Sequence, residues 1–128
     1  MEPKKLNSYR ELEVWKKSIG LVKILYKVTE KCPENERFGL IIQIRRAAVS
    51  IPANIAEGWG RETIKNYVQF LRIARGSLFE LDTLILIAFE LNYISKEQED
   101  IVKTKIEEIG RMLNSMIKKL NSKQQSES

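Results

Sequence analysis

Apolar side chains recur at steps of three and four along nearly the whole chain, in four runs separated by short breaking or capping segments. That period places the apolar positions of each run on one face of an α-helix. In the first run Leu12, Trp15, Ile19, Val22 and Tyr26 form the seam, while Val14, Leu21, Leu25 and Val28 widen it. A narrower polar stripe is left, holding Lys16, Lys23, Lys27 and Lys31. Ser8-Tyr9-Arg10-Glu11 has the spacing of a capping box, in which the serine and the glutamate three residues on satisfy each other's backbone donors. This helix is expected from Tyr9 to Lys31, because the residue before Pro33 is driven out of the α region.

The second run is expected to start near Glu36, with Leu40, Ile44, Ala48, Ile51 and Ile55 as its seam and Gly58 and Gly60 as its stop. Its small residues Ala47, Ala48 and Ala53 allow a neighbouring helix to come close. Pro52 lies inside the pattern; it lacks a backbone donor and its ring presses on the carbonyl of Ala48, so a kink is expected there. The third run, Thr63 to Leu91, keeps a strict heptad in which Ile64, Leu71, Leu78 and Ile85 alternate with Tyr67, Ala74, Leu81 and Ala88. The fourth opens on a second capping box, Ser95-Lys96-Glu97-Gln98, and carries Val102, Ile106, Ile109, Leu113, Met116 and Leu120.

Four helices of about 20 to 30 residues joined by short loops predict an all-α fold, an antiparallel up-down-up-down four-helix bundle with its second helix kinked at Pro52. The domain plan is a flexible N-terminus over residues 1–8, the bundle over 9–120 and a disordered polar tail over 121–128. A bundle helix needs about three apolar positions per heptad, yet helix one and the Leu84–Leu91 end of helix three are apolar around most of their circumference. That surplus predicts burial between subunits of a homo-oligomer; a monomer with a broad core is the alternative.

Composition narrows the function classes. The chain has 128 residues, room for one domain, with 22 basic and 17 acidic side chains and a net charge of +5. A mild basic excess favours polyanionic partners without requiring one, and it is concentrated in residues 1–33. Cys32 is the only cysteine, which excludes an intramolecular disulfide and suits the cytoplasm. The longest apolar run, Leu84 to Phe89, is far short of the roughly 20 residues of a membrane span, so no membrane association is expected. Histidine is absent, which removes the usual general base and the commonest metal ligand. No catalysis, metal, cofactor or small-molecule substrate is expected. Cys32 reads as a small buried hydrophobe rather than a nucleophile, and Gly58-Trp59-Gly60 lacks the lysine and preceding strand of a phosphate loop.

Two polar lines stand out. Gln43, Arg46, Ser50, Asn54, Glu57 and Arg61 share one face of helix two. On helix three Gln69, Arg72, Gly76, Glu80 and Thr83 make a comparable line, with Arg75 and Asp82 beside it. Glu57 and Glu80 are natural partners for the arginines. The expected role of Gln43, Arg46, Ser50, Asn54, Glu57, Arg72, Arg75 and Glu80 is a structural polar network that fixes helix register, and a ligand or RNA site is the alternative. Phosphate-binding candidates are Lys16, Lys23, Lys27 and Lys31 on helix one, Arg45 on helix two, and Arg61 and Lys65 near the following loop. A solubilising role for those lysines competes with this. Aromatic residues that could stack on single-stranded bases are sparse beyond Trp59, which could instead anchor a protein partner or fold back onto the core.

Three segments, Leu12 to Lys17, Gln43 to Gly58 and Phe70 to Leu81, together resemble the 23S rRNA-intervening-sequence proteins, and the likeness runs from about Tyr9 to Ile94. The central motif is kept whole, with Ser50, Pro52, Asn54, Glu57, Gly58, Gly76, Ser77 and Glu80 in place. The resemblance implies a bacterial four-helix bundle assembled as a ring-like homopentamer, without an established family activity. A similar bundle, the accessory protein of diversity-generating retroelements, implies by fold analogy the binding of nucleic acid and reverse transcriptase. The expected function is therefore non-catalytic RNA binding, to rRNA, through basic patches repeated by symmetry. The alternative is a scaffold recruiting a nucleic-acid enzyme such as a reverse transcriptase.

Overall fold

The computed structural model describes residues 6–36 and 39–127. It contains four α-helices, α1 (Glu13–Thr29), α2 (Leu40–Trp59), α3 (Ile64–Glu90) and α4 (Lys96–Glu127), and no strand among the described residues. α1 and α3 each pack on both α2 and α4, so the four rods enclose one core. Its centre is formed by Leu21, Leu25, Ile44, Ile51, Ile55, Leu71, Leu78, Leu81, Ile85, Ile109 and Leu113, all essentially removed from solvent. Burying each such side chain contributes roughly 1.5–3 kcal/mol, so this layer dominates the stability of the fold.

The helix ends follow local chemistry. Ser95 and Gln98 close a reciprocal box: the Gln98 N–H donates to Ser95 Oγ at 3.0 Å and the Ser95 N–H donates to Gln98 Oε1 at 2.9 Å. Thr63 Oγ1 accepts from the Asn66 N–H at 3.1 Å and caps α3. The N-terminal box closes differently. Ser8 Oγ accepts from Arg10 and Glu11 takes the N–H of Asn7, which winds a single 3-10 turn over Tyr9–Glu11 before α1 begins at Glu13. Glu34–Glu36 is likewise a 3-10 turn, and α2 starts later than the sequence suggested, at Leu40, whose N–H donates to Glu36 Oε1. At the end of α3, Asn92 adopts φ 63° and the Tyr93 N–H reaches back to the Ala88 carbonyl, a left-handed stop that asparagine tolerates.

Three expectations change. The glycines do not both stop α2. Gly60 caps it, donating to the carbonyls of Ala56 and Glu57, while Gly58 lies inside the helix against α3, where an added Cβ would fall 2.9 Å from Phe70 Cβ and 3.0 Å from Tyr67 Cδ1. The buried face of α1 is Val14, Ser18, Leu21, Leu25 and Thr29, rotated from the Leu12-Trp15-Ile19-Val22-Tyr26 seam read from the sequence. Two polar residues disguise the true face. Ser18 donates to the Trp15 carbonyl at 2.8 Å and Thr29 to the Leu25 carbonyl at 2.7 Å, so their hydroxyls are satisfied within the helix and can be buried. Finally, α4 continues through residues 121–127, the segment read as a disordered tail. That stretch contains neither glycine nor proline, and Ser126 Oγ donates to the Lys123 carbonyl. Of the flexible terminus expected over residues 1–8, residues 1–5 lie outside the described part.

Candidate nucleic-acid interface

The lysine stripe of α1 is set by the rotation just described. With Val14, Leu21 and Leu25 turned inward, Lys16, Lys23 and Lys27 face outward at spacings of seven and four, and Lys31 follows the helix end. All four are exposed. Lys16 Nζ approaches Glu13 Oε1 at 3.7 Å; the side chains of Lys23, Lys27 and Lys31 have no hydrogen bond or ion pair among the described residues. These ammonium groups are directed into solvent, where a phosphate could replace water.

The arginine candidates are held otherwise. Arg45 Nε donates to Thr29 Oγ1 at 3.0 Å and Nη2 to the Tyr26 carbonyl at 3.2 Å, and the guanidinium lies 4.4 Å from the centroid of the Tyr26 ring. It thus completes the carboxyl end of α1, where helix carbonyls concentrate negative potential. Arg61 pairs with Glu57 at 3.5 Å and stacks 4.5 Å over Phe70, while Lys65 is exposed on the first turn of α3. Trp59, the last residue of α2, is half-buried.

The polar line through the central motif resolves into a compact hydroxyl cluster and several separate charges. Ser50 Oγ and Ser77 Oγ meet at 2.8 Å across the α2–α3 contact, and Asn54 Nδ2 donates to both the carbonyl and the hydroxyl of Ser50. Ser77 Oγ also lies 3.2 Å from the Ile73 carbonyl. Arg75 Nη1 donates instead to Asn114 Oδ1 of α4 at 2.9 Å. Glu57 pairs with Arg61 rather than Arg46, Arg72 or Arg75. Gln43, Arg46, Arg72 and Glu80 are exposed, and their side chains make no hydrogen bond or ion pair among the described residues. The hydroxyls can sit between the helices because each finds a short-range partner; the longer charged side chains remain in water, which solvates them at no cost.

Sequence reasoning missed Phe79. Its ring is 67% exposed, the most of any large apolar side chain described, and it borders a groove between α3 and α4. The signal was available: Phe79 and Leu86, seven apart, both fall outside the two heptad positions that form the core. A second apolar exposure continues along α3 through Leu86, Ile87 and Leu91.

Acid–base chemistry is sparsely supplied. Burial, with a smaller push from Glu36, raises the Cys32 thiol from its ordinary value and favours the less reactive protonated form, while Arg45 pulls the other way. Tyr93 is also raised, first by the hydrogen bond its hydroxyl donates to Glu36 at 2.9 Å. No group of three or more metal-ligating side chains occurs among the described residues. Nor is any helix among them long and apolar enough to cross a membrane.

The comparisons extend the picture beyond geometry. The sequence model of the family described as 23S rRNA-intervening sequence protein matches residues 10–115. The chain is similar to a protein of unknown function from the S23 ribosomal protein family of Bacteroides thetaiotaomicron, known from its crystal structure. The two share 30% identity and superpose with a TM-score of 0.73, over 82% of this chain and 98% of the other. No curated protein matches the chain.

Proposed function

Because the chain belongs to the 23S rRNA-intervening sequence protein family, we propose that it is a non-catalytic, oligomeric bundle that binds RNA, rRNA in the first instance, through the lysine face of α1. The observation that carries this reading is the unpaired, outward row of Lys23, Lys27 and Lys31, with Lys16 only loosely engaged. Each phosphate these groups neutralise releases counterions, and RNA would be held by shape and backbone charge rather than by base sequence. Arg45, spent on the end of α1, is a positioning residue in this scheme; Arg61 and Lys65 extend the basic surface near the α2–α3 loop.

Oligomerisation is part of the proposal because one patch of this size binds weakly and symmetry repeats it. It is supported by the outer flank of α1, where Trp15 and Val22 pack only partly against the core. Trp15, Ile19 and Val22 are partly exposed and Tyr26 is 43% exposed, more apolar surface than a lone bundle needs. A homopentamer of 14.9 kDa chains has a mass of about 75 kDa, which sedimentation equilibrium measures directly. The antiparallel course of the bundle belongs to the same reading: Ser50 meets Ser77 while Gly58 meets Phe70, and Leu78 meets Gly110 while Arg75 meets Asn114. So does the bend at Pro52, whose missing N–H removes a rung from α2. A lone buried cysteine is compatible with a reducing, cytoplasmic setting.

The test is crosslinking and sequencing of RNA bound in native cells, run beside a variant carrying Lys16→Glu, Lys23→Glu and Lys27→Glu. Recovery should collapse in the variant, and the salt slope of purified binding should fall by about 2 to 3. Equal recovery from both proteins would remove α1 from the binding surface. A scaffold that recruits a nucleic-acid enzyme is the second reading, favoured by the half-exposed Trp59 between two glycines. RNA retention that ignores salt while Trp59→Ala abolishes it would favour that alternative.

A further inference from the structure

The groove between α3 and α4 has a volume of about 280 Å³. Three features give it directionality. At one end Arg75, anchored by Asn114, lies near Arg111, which has no ion partner among the described residues. In the middle the exposed Phe79 ring and Gly110 line the groove, and a Cβ added at Gly110 would meet nothing nearer than Leu78 Cδ1 at 3.9 Å. Further along, the carboxylates of Asp82 and Glu107 are exposed and unpaired, with the ammonium of Lys103, one turn before Glu107 on α4, lining the same end.

We propose that this groove is a stacking site for a nucleotide of single-stranded RNA, distinct from the lysine face of α1. An exposed ring in a groove that also holds two guanidinium groups fits a base on its π-face and the adjoining phosphate on Arg75 and Arg111. Arg72, seven residues before Phe79 and exposed, extends the cationic end along α3. The carboxylates, which would repel a phosphate, are instead suited to accept from an exocyclic amino group, as a carboxylate does from cytosine N4. Cytosine is therefore preferred over uracil, a base of the same ring size without that group. An intermolecular apolar contact would explain the ring alone. It would not explain why both arginines lie towards one end and both free carboxylates, beside Lys103, towards the other.

Fluorescence anisotropy with labelled oligo(C) and oligo(U) of about ten nucleotides, and with a duplex RNA of equal length, tests the site on the full chain. Phe79→Ala should weaken oligo(C) binding roughly fivefold to a hundredfold and leave duplex binding within about twofold, while Phe79→Trp keeps the stack and restores affinity. Arg111→Glu should lower affinity for both single strands, and the preference for oligo(C) should disappear with Asp82→Ala and Glu107→Ala together. Phe79→Ala protein that binds oligo(C) like the unsubstituted chain overturns the inference. So does a drop in sedimentation mass on Phe79→Ala without change in single-strand affinity, which would assign the ring to a second copy of the chain. Duplex binding that survives Phe79→Ala and is lost with the α1 lysines keeps the proposed function even where this site fails; a protein binding neither form of RNA overturns both.

Discussion

The α2–α3 contact and the outer flank of α1 are built from opposite materials. At the first, Gly58, Ser50 and Ser77 bring two helices close, and both hydroxyls find partners within the chain. At the second, Trp15, Ile19, Val22 and Tyr26 remain partly in water beside lysines without partners. Small residues with short, self-satisfying polar groups close an interface inside one molecule, because little side-chain entropy is lost and no charge is desolvated. Large apolar groups mixed with long cations leave a surface that the chain itself covers only in part.

Core truncation should divide the two regions most sharply. Ile55→Ala, beside the α2–α3 contact and fully buried, should cost about 3 kcal/mol in urea unfolding, whereas Ile19→Ala on the flank should cost about 1 or less while lowering the assembled mass in sedimentation. Equal costs would erase the distinction. Glycine substitutions sharpen it, because their sign changes. Gly58→Ala should destabilise by about 2 kcal/mol, since the new Cβ meets Phe70 Cβ at 2.9 Å and the Tyr67 carbonyl at 3.2 Å. Gly20→Ala in α1, with nothing within 4 Å, should stabilise by about 0.5–1 kcal/mol through reduced unfolded-state freedom. Thermal midpoints of the two variants should therefore move in opposite directions.

The hydroxyl cluster is a smaller lever. Ser77→Ala leaves Ser50 its bond from Asn54, so a loss of about 1 kcal/mol is expected, and the double variant with Ser50→Ala should lose less than the sum of the singles. The weakest expected effect is a pH dependence at the turn joining α3 to α4. Tyr93 is raised above its ordinary value of 10.0 by its bond to Glu36, so its folded-state pKa exceeds the unfolded one. The stability it contributes is present below pH 10 and is lost as pH rises through the folded value. Melting between pH 8 and 11 should fall less steeply for Tyr93→Phe than for the unsubstituted chain.

Features that depend on a few neighbouring residues were legible before any tertiary structure. The Ser95 box, the Thr63 start of α3 and its heptad through Leu71, Leu78 and Ile85 all reappear in place, because a cap or a period is satisfied within one helix. The outward placement of Lys16, Lys23 and Lys27 was legible for the same reason. Less could be read of the candidate interface. Arg45 looked available for phosphate until its two hydrogen bonds to α1 were visible, and pairing Glu57 with distant arginines overlooked Arg61 one turn away.

By itself, then, the amino-acid order determined that four helices form, where α3 and α4 begin, and that α1 carries more apolar surface than one face can hold. Only the packed structure decided which face of α1 turns inward, that Gly58 is a point of close approach, and that Phe79 stands in a groove rather than in the core. The division is physical. Hydrogen bonds along a helix span three or four residues and are written in adjacent positions, whereas burial depends on which neighbour arrives from far along the chain and at what distance.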